Sequence, residues 1–330
     1  MKKLSFLLLG AAGLIMASCS SEDVVDPVVD GNYTVTVKLP MELDGTRALG
    51  DGLTAENLHV AVYDATNGNK LVTTAEATFN NSLQTTVTLN LANGKTYNIA
   101  FFAQSTASQT GNAAYTFNAQ NATITANYAA MTSAPNLADA YDCFFQLHNT
   151  GTITSASTGG TVTLYRPVAQ INWGTDDYNE ATIKDDMAFG TNGQYVQTTM
   201  TTMAYTTYNM LDNNVDFDSK STVALNWSNF AAPTGQTFPV TGYQYVAVQY
   251  VFAPRLSSTV YDLALDISNA LNPDVTNVTN DIVNVSSAPV QANYRTNIFG
   301  SLLTNPNVFT VIKEKNFNEP ANNIDMNNRN

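Results

Sequence analysis

After residue 32, almost every segment has the period of a strand, with apolar and polar side chains alternating every two residues. That spacing turns one face of a β-strand towards a core and the other towards water. NYTVTVKL shows it most cleanly: Tyr33, Val35, Val37 and Leu39 fall on one face, Thr34, Thr36 and Lys38 on the other, and Pro40 ends the run. LHVAVYD (58–64) follows the same rule and stops at the Asn-Gly pair at 67–68. SLQTTVTLNL (82–91) and TYNIAFFAQ (96–104) flank the Asn-Gly pair at 93–94. Asn-Gly favours the positive φ of tight hairpin turns, so these two segments are expected to pair as a hairpin. Residues 105–135 are rich in Ser, Ala and Asn with little period, and read as long loops with a short strand near 115–117.

DAYDCFFQL (139–147) returns to strand-like apolar density, and NTGTITSASTGG reads as a turn or linker. TVTLYRPVAQINWG (161–174) reads as a long strand interrupted by Pro167, which lacks an N–H and needs an edge or bulge position. Further strands are expected in TTMTTMAYTTYNML (198–211), YQYVAVQYVFAP (243–254), TVYDLALDIS (259–268), YRTNIFGSLLT (294–304) and NVFTVIKEK (307–315). DDYNEATIKDDMAF (176–189) begins with acidic residues and suits one or two helical turns.

Many short strands with Gly and Asn turns imply an all-β chain, expected as two tandem β-sandwiches of Greek-key, transthyretin-like type. The expected division is a signal segment at 1–18, a tether at 19–31, an N-terminal sandwich at 32–160 and a C-terminal sandwich at 161–317. The first sandwich would contain a first strand at 33–39 and a loop at 41–52. An Asn-rich tail at 318–330 is expected to be disordered. No short-period repeat is visible, which excludes a solenoid.

Composition narrows the class. Charged residues make up 12% of the 330, about half the usual ~25%, and polarity comes instead from Asn, Thr, Ser and Gln. The formal charge of −13 excludes a nucleic-acid partner, because nothing here could neutralise a phosphate backbone. Lys2 and Lys3 precede an apolar stretch at 4–16 that is too short to span a bilayer comfortably. MASCSSED then places small residues before Cys19, in the manner of a bacterial lipoprotein signal. Cleavage before Cys19 would expose a cysteine for acylation and outer-membrane anchoring; the plainer alternative is an ordinary secretory signal. The acidic stretch at 20–31 reads as a flexible tether and favours cell-surface exposure. Cys143, the other cysteine, lies among aromatics and reads as a small buried hydrophobe, so no disulfide framework exists.

Candidate chemistry is thin. His59 and His148 are the two histidines, and no metal, nucleophile-elbow or phosphate-loop motif is present. A Cys143/His148 nucleophilic pair would sit five residues apart on a strand, on opposite faces. Asp176 and Asp177, Asp185 and Asp186, and the cluster Asp212, Asp216, Asp218 offer oxygens for calcium without the spacing of a calcium loop, and read as solvated. Trp173, Trp227, Tyr243, Tyr245 and Tyr250 could form a sugar-stacking platform, but aromatics at spacing two belong more readily to a core. No catalytic residue, no metal and no cofactor are expected, so the chain reads as a structural or binding protein, not an enzyme.

The lipoprotein start, TYNIAFFAQ, YDCFF, LYRPVAQINWGTDD and ANYRTNIFGSLLT followed by a last strand together resemble the fimbrillin-like, type V pilin family. Members are two-domain β-sandwich lipoproteins of Gram-negative anaerobes, and the resemblance covers nearly the whole chain. It implies a lipidated precursor at the outer membrane, cut by an arginine-specific surface protease and polymerised by donor-strand exchange into an adhesive fimbrium. Carried onto this sequence, lipid attaches at Cys19 and the cut falls between Arg47 and Ala48 in MELDGTRALGDG (41–52). Arg47 is one of only five arginines and stands in a Gly- and Asp-flanked segment, the kind of loop where proteolysis concentrates. The displaced first strand would carry Tyr33, Val35, Val37 and Leu39. The donor strand would carry Val308, Phe309, Thr310, Val311 and Ile312, and the partners would be other pilin subunits. The alternative is a monomeric surface lipoprotein that keeps its anchor and binds glycans or host proteins.

Overall fold

A computed structural model describes residues 30–40, 49, 53–80, 82–106, 113–177, 195–226, 228–229, 235–268, 281–305, 307–316 and 324–325. The first half forms β1 (Asp30–Lys38), β2 (Asn57–Asp64), β3 (Lys70–Thr78), β4 (Gln84–Ala92), β5 (Thr96–Gln104), β6 (Tyr115–Asn118) and β7 (Thr123–Ala126). A single helical turn, α1 (Pro135–Ala138), precedes β8 (Cys143–Thr152), β9 (Gly160–Thr163) and β10 (Val168–Thr175). The second half adds β11 (Tyr195–Tyr205), β12 (Thr207–Asn209), β13 (Asn214–Val215), β14 (Lys220–Ala224), β15 (Ser228–Asn229) and β16 (Gln244–Phe252). It ends with β17 (Thr259–Ser268), β18 (Asp281–Val290), β19 (Tyr294–Gly300), β20 (Phe309–Asn316) and β21 (Ile324–Asp325). The chain is all-β in sandwich architecture.

In the first sandwich a three-stranded sheet, β4-β1-β9, packs on a four-stranded sheet, β3-β2-β5-β8. The core between them collects Val35, Val37, Val60, Val62, Ile99, Phe101 and Phe144. The opposite face of the four-stranded sheet is buried too: Ala61, Tyr63, Ala100, Phe102 and Phe145 join the larger core of the second half. Burial on both faces explains why TYNIAFFAQ is a near-continuous apolar run, whereas β1, with one wet face, alternates cleanly. The second half is built on a sheet of order β18-β17-β11-β16-β10-β19-β20-β21, with β14 and β15 also pairing β11.

Two expectations are corrected and one is refined. The Asn-Gly pair at 93–94 does not close a hairpin: β4 pairs with β1, while β5 pairs with β2 and β8. Gly94 has the positive φ that the dipeptide favours, 81°, but the turn is a corner that carries the chain from one sheet to the other. Tertiary bonds hold that corner: Gly94 N–H donates to the Ile153 carbonyl (2.8 Å), and Lys95 Nζ lies 2.8 Å from Asp64 Oδ2. Turn chemistry is local, but which strand lies beside each arm is not.

The second point is a refinement of the boundary expected near 160, within about ten residues. β9 completes the first sandwich, Leu164 still packs in its core, and Val168 is the first residue of this segment in the second core, so the hand-over lies at 165–167. Moreover β6 and β7 form a sheet with β12 and β13, in the order β13-β12-β7-β6, which straddles the expected boundary. β6 is the short strand expected near 115–117, whereas β7 falls within the stretch read as loops, because a four-residue strand is too short to display a period. Third, the tail is not wholly without structure, since β21 pairs with β20. β3 and β18 were not foreseen; β3 is exposed on alternate residues and half-buried between, so its apolar face is weakly marked. The helical segment expected at 176–189 lies outside the described residues beyond 177.

Candidate functional site

β1 is the middle strand of its sheet. It pairs antiparallel with β4 over its full length, Tyr33 opposite Leu89 and Val35 opposite Val87, and parallel with β9, Val37 opposite Val162. Tyr33, Val35, Val37 and Leu39 are all at most 3% exposed. At about 1.5–3 kcal/mol for each buried side chain, this one strand contributes on the order of 10 kcal/mol of apolar burial. That is comparable to the whole net stability of an ordinary domain. Two features missed in the sequence fit the strand to its slot. Gly159 lies so close that a Cβ there would stand 2.5 Å from Val35 Cβ and 2.9 Å from Tyr33 Cε1, and its N–H donates to the Thr34 carbonyl. Across the sandwich, the Tyr33 hydroxyl lies 2.7 Å from His148 Nε2. Burial pushes the His148 pKa down and the Tyr33 pKa up, so both groups stay neutral near pH 7.

Cys19, Arg47 and Ala48 lie outside the described residues. Leu49, two residues past Arg47, is seated in the second core at 1% exposure, and its carbonyl accepts from Gln170 Nε2 (3.1 Å) and Arg295 Nη2 (3.3 Å). The donor candidate is β20, which pairs antiparallel with β19 along its length, Phe299 opposite Thr310 and Asn297 opposite Ile312. Val308 is exposed, Phe309, Thr310 and Val311 are half-buried, and Ile312 is buried. Its inward face then changes character: Glu314 is buried and accepts a hydrogen bond from Asn297 Nδ2. Burial raises the Glu314 carboxyl, with Arg295 and the Asn297 bond opposing.

The quoted motifs meet in space. Asp142 of YDCFF and Arg166 of LYRPVAQINWG form a fully buried ion pair beside the hand-over between cores, with Nε 2.9 Å from Oδ1 and Nη2 2.8 Å from Oδ2. The Arg166 guanidinium also lies 4.6 Å from the centre of the Phe144 ring. Asp177 of the same motif accepts from Thr304 N–H and Oγ1, both at 2.7 Å, and so pins the turn of FGSLLT.

Other candidates fall away. Cys143 faces the larger core while His148 meets Tyr33 on the opposite face, and burial pushes the Cys143 thiol well up, so no nucleophilic pair forms. Among the described residues, no group of three or more His, Cys, Asp or Glu could hold a metal ion. Trp173, Tyr245 and Tyr250 are buried and form no sugar platform; Trp227, Asp185 and Asp186 lie outside the described residues. His59 clusters with the rings of Phe102 and Phe117, which also stack on each other, and lies 3.3 Å from Glu76.

A family model described as a family of unknown function (DUF6562) matches residues 25–328. The chain belongs to this family. Solved structures of similar fold include a DUF1812 protein of Bacteroides thetaiotaomicron, 11% identical, with a TM-score of 0.48, covering 90% of this chain and 100% of that one. The tip fimbrial protein Mfa3 of Porphyromonas gingivalis is 12% identical with a TM-score of 0.43, covering 86% of this chain and 98% of that one. The fimbrial anchor protein Mfa2 of the same organism is 8% identical with a TM-score of 0.39, covering 86% and 96%. No curated protein matches the chain.

Proposed function

We propose that this DUF6562 chain is a subunit of a surface fimbria with a role in adhesion. It is exported as a lipoprotein acylated on Cys19, cut after Arg47, and polymerised by strand exchange. The observation that carries this reading is the place of β1: an N-terminal strand that is central in its sheet and supplies a complete apolar face. Its loss would leave unpaired backbone groups on β4 and β9 above an open apolar groove, an edge that demands another strand. An incoming strand would take up backbone bonds for affinity and fill alternate pockets for register.

The donor on this reading is the C-terminal segment of another copy. Its face of Val308, Thr310 and Ile312 matches the pockets of Tyr33, Val35 and Val37, and the register places Glu314 at the Leu39 end. Lys313 rules out the other face, because it would fall where Val37 is buried. Since groove and donor are different surfaces, the contact is heterologous and extends into a filament.

N-terminal sequencing of fibres sheared from cells tests the proposal. A mature start at Ala48, and loss of both that start and the SDS-resistant ladder in Arg47→Ala, are the expected results. Acylated Cys19 on every surface molecule would overturn it.

A further inference from the structure

Where the two cores meet, four loops enclose a cleft of about 340 Å³. Tyr165 and Arg166 come from the crossover between β9 and β10, Asn213 from the turn after β12, Arg255 and Leu256 from the segment after β16, and Asn293 from the turn before β19. Phe145 and Tyr208 form its apolar wall, with ring centres 5.2 Å apart and edge to face.

Charge sets this cleft apart. The chain carries 27 acidic residues against 14 basic ones, yet the described residues lining the cleft include two of its five arginines and no Asp or Glu. Arg166 is neutralised from behind by Asp142. Arg255 forms no ion pair among the described residues. Its backbone is held at both ends by side chains from other loops. Arg255 N–H donates to Asn214 Oδ1 (3.1 Å), and its carbonyl accepts from Gln291 Nε2 (3.2 Å). Gln291 is braced in turn, because its Oε1 accepts from Lys313 Nζ (2.9 Å) and Ser258 Oγ (3.2 Å). A fixed backbone aims the guanidinium, whose Cζ lies 6.0 Å from the centre of the Tyr165 ring. That ring is 37% exposed, and Leu256, at the rim, is 87% exposed.

A planar cation fixed beside an exposed aromatic face, with an amide side chain within the same cleft, has the chemistry to hold a carboxylate attached to a sugar ring. We infer that this junction cleft binds an acidic monosaccharide unit, a uronic or sialic acid residue of a glycan. Arg255 takes the carboxylate through its two-pronged guanidinium. Tyr165 and Leu256 cover the C–H face of the ring, and Asn213 meets hydroxyls. The volume falls in the range of small-ligand sites. The inference does not depend on cleavage at Arg47.

Titration calorimetry of the purified full chain in detergent, with glucuronic acid, N-acetylneuraminic acid, glucose, acetate and inorganic phosphate, tests it. At least one acidic sugar should bind, with glucose and acetate each at least roughly tenfold weaker. Arg255→Gln should weaken the acidic sugar by roughly tenfold to a hundredfold at an unchanged unfolding temperature, and Tyr165→Ala should weaken it several-fold. If Arg255→Gln lowers the unfolding temperature, Arg255→Lys carries the test and should give an intermediate loss. No heat with either acidic sugar, acetate or phosphate binding as tightly as the sugars, or undiminished binding in the Arg255 variants would each overturn the assignment.

Discussion

The first and last long strands of the described chain, β1 and β20, make opposite use of the same alternating pattern. β1 is enclosed by two neighbours and presents four apolar side chains inward without interruption. Among the described residues, β20 has one full-length neighbour and the two-residue β21 on its other side, and its inward face passes from Thr310 and Ile312 to a buried carboxylate at Glu314. A central, wholly apolar strand leaves a hole when it goes. A strand near the edge with a mixed face leaves much less behind. The difference follows from neighbours as well as from residue types: β1 pairs with β4 on one side and β9 on the other, whereas β20 has one full-length partner.

The strongest way to break this contrast is to delete residues 1–40. The truncated chain should lose most of its stability, on the order of 10 kcal/mol, and aggregate. Added peptide GNYTVTVKLP should rescue it, whereas the same peptide with Val35 and Val37 changed to Asp should not. Circular dichroism melts with and without peptide would read this out, and a truncated chain as stable as the parent would defeat the view of β1 as indispensable. Next in size is the junction pair: Asp142→Ala should cost about 3–5 kcal/mol by removing the carboxylate that pairs with the buried Arg166. Urea unfolding checks that figure, and Asp142→Ala together with Arg166→Leu should recover much of the loss.

Gly159→Ala sharpens the contrast within β1 itself. The added methyl would meet Val35 Cβ and the Tyr33 ring. Overpacking of this kind costs typically 1–3 kcal/mol, and faster amide hydrogen exchange in β1 with β20 unchanged would locate it. The smallest effect is acid sensitivity. The folded-state pKa of His148 lies below its ordinary value of about 6.5 because of burial. The unfolded chain therefore gains a proton before the folded one. Stability from this group is fully present above about pH 6.5 and falls as pH drops towards the folded pKa. His148→Gln should reduce the change in urea midpoint between pH 7 and pH 5 by the equivalent of no more than about 1 kcal/mol. A variant with the parent's full pH dependence would show that Tyr33 and His148 are not coupled to the seating of β1; His59, also depressed by burial, acts in the same direction, and the carboxyls of Asp266 and Glu314, raised by burial, act in the opposite one.

Much of the fold was legible in the sequence. Period-two alternation and apolar density are properties of neighbouring residues and need no knowledge of partners, so β1 and β2 could be placed by the first and β16, buried on both faces, by the second. The inward set of β1, from Tyr33 to Leu39, was readable for the same reason. Gly159 was not, because its importance depends on how close Val35 comes from more than a hundred residues away. The aromatic surface was legible in part: Trp173, Tyr245 and Tyr250, which read more readily as core than as a sugar platform, are core, while Tyr165 stood unremarked two residues before a proline.

By itself, then, the sequence determined the strands, their wet and dry faces and the all-β class, because these follow from backbone pleating and from which side chains avoid water. Tertiary structure alone decided how those strands were shared out. It turned the Asn-Gly pair at 93–94 into a corner between sheets, joined β7 to β12 across the expected boundary, and drew Tyr165, Asn213 and Arg255 into one cleft. Alternation specifies that a face must be buried; only packing selects the surface that buries it.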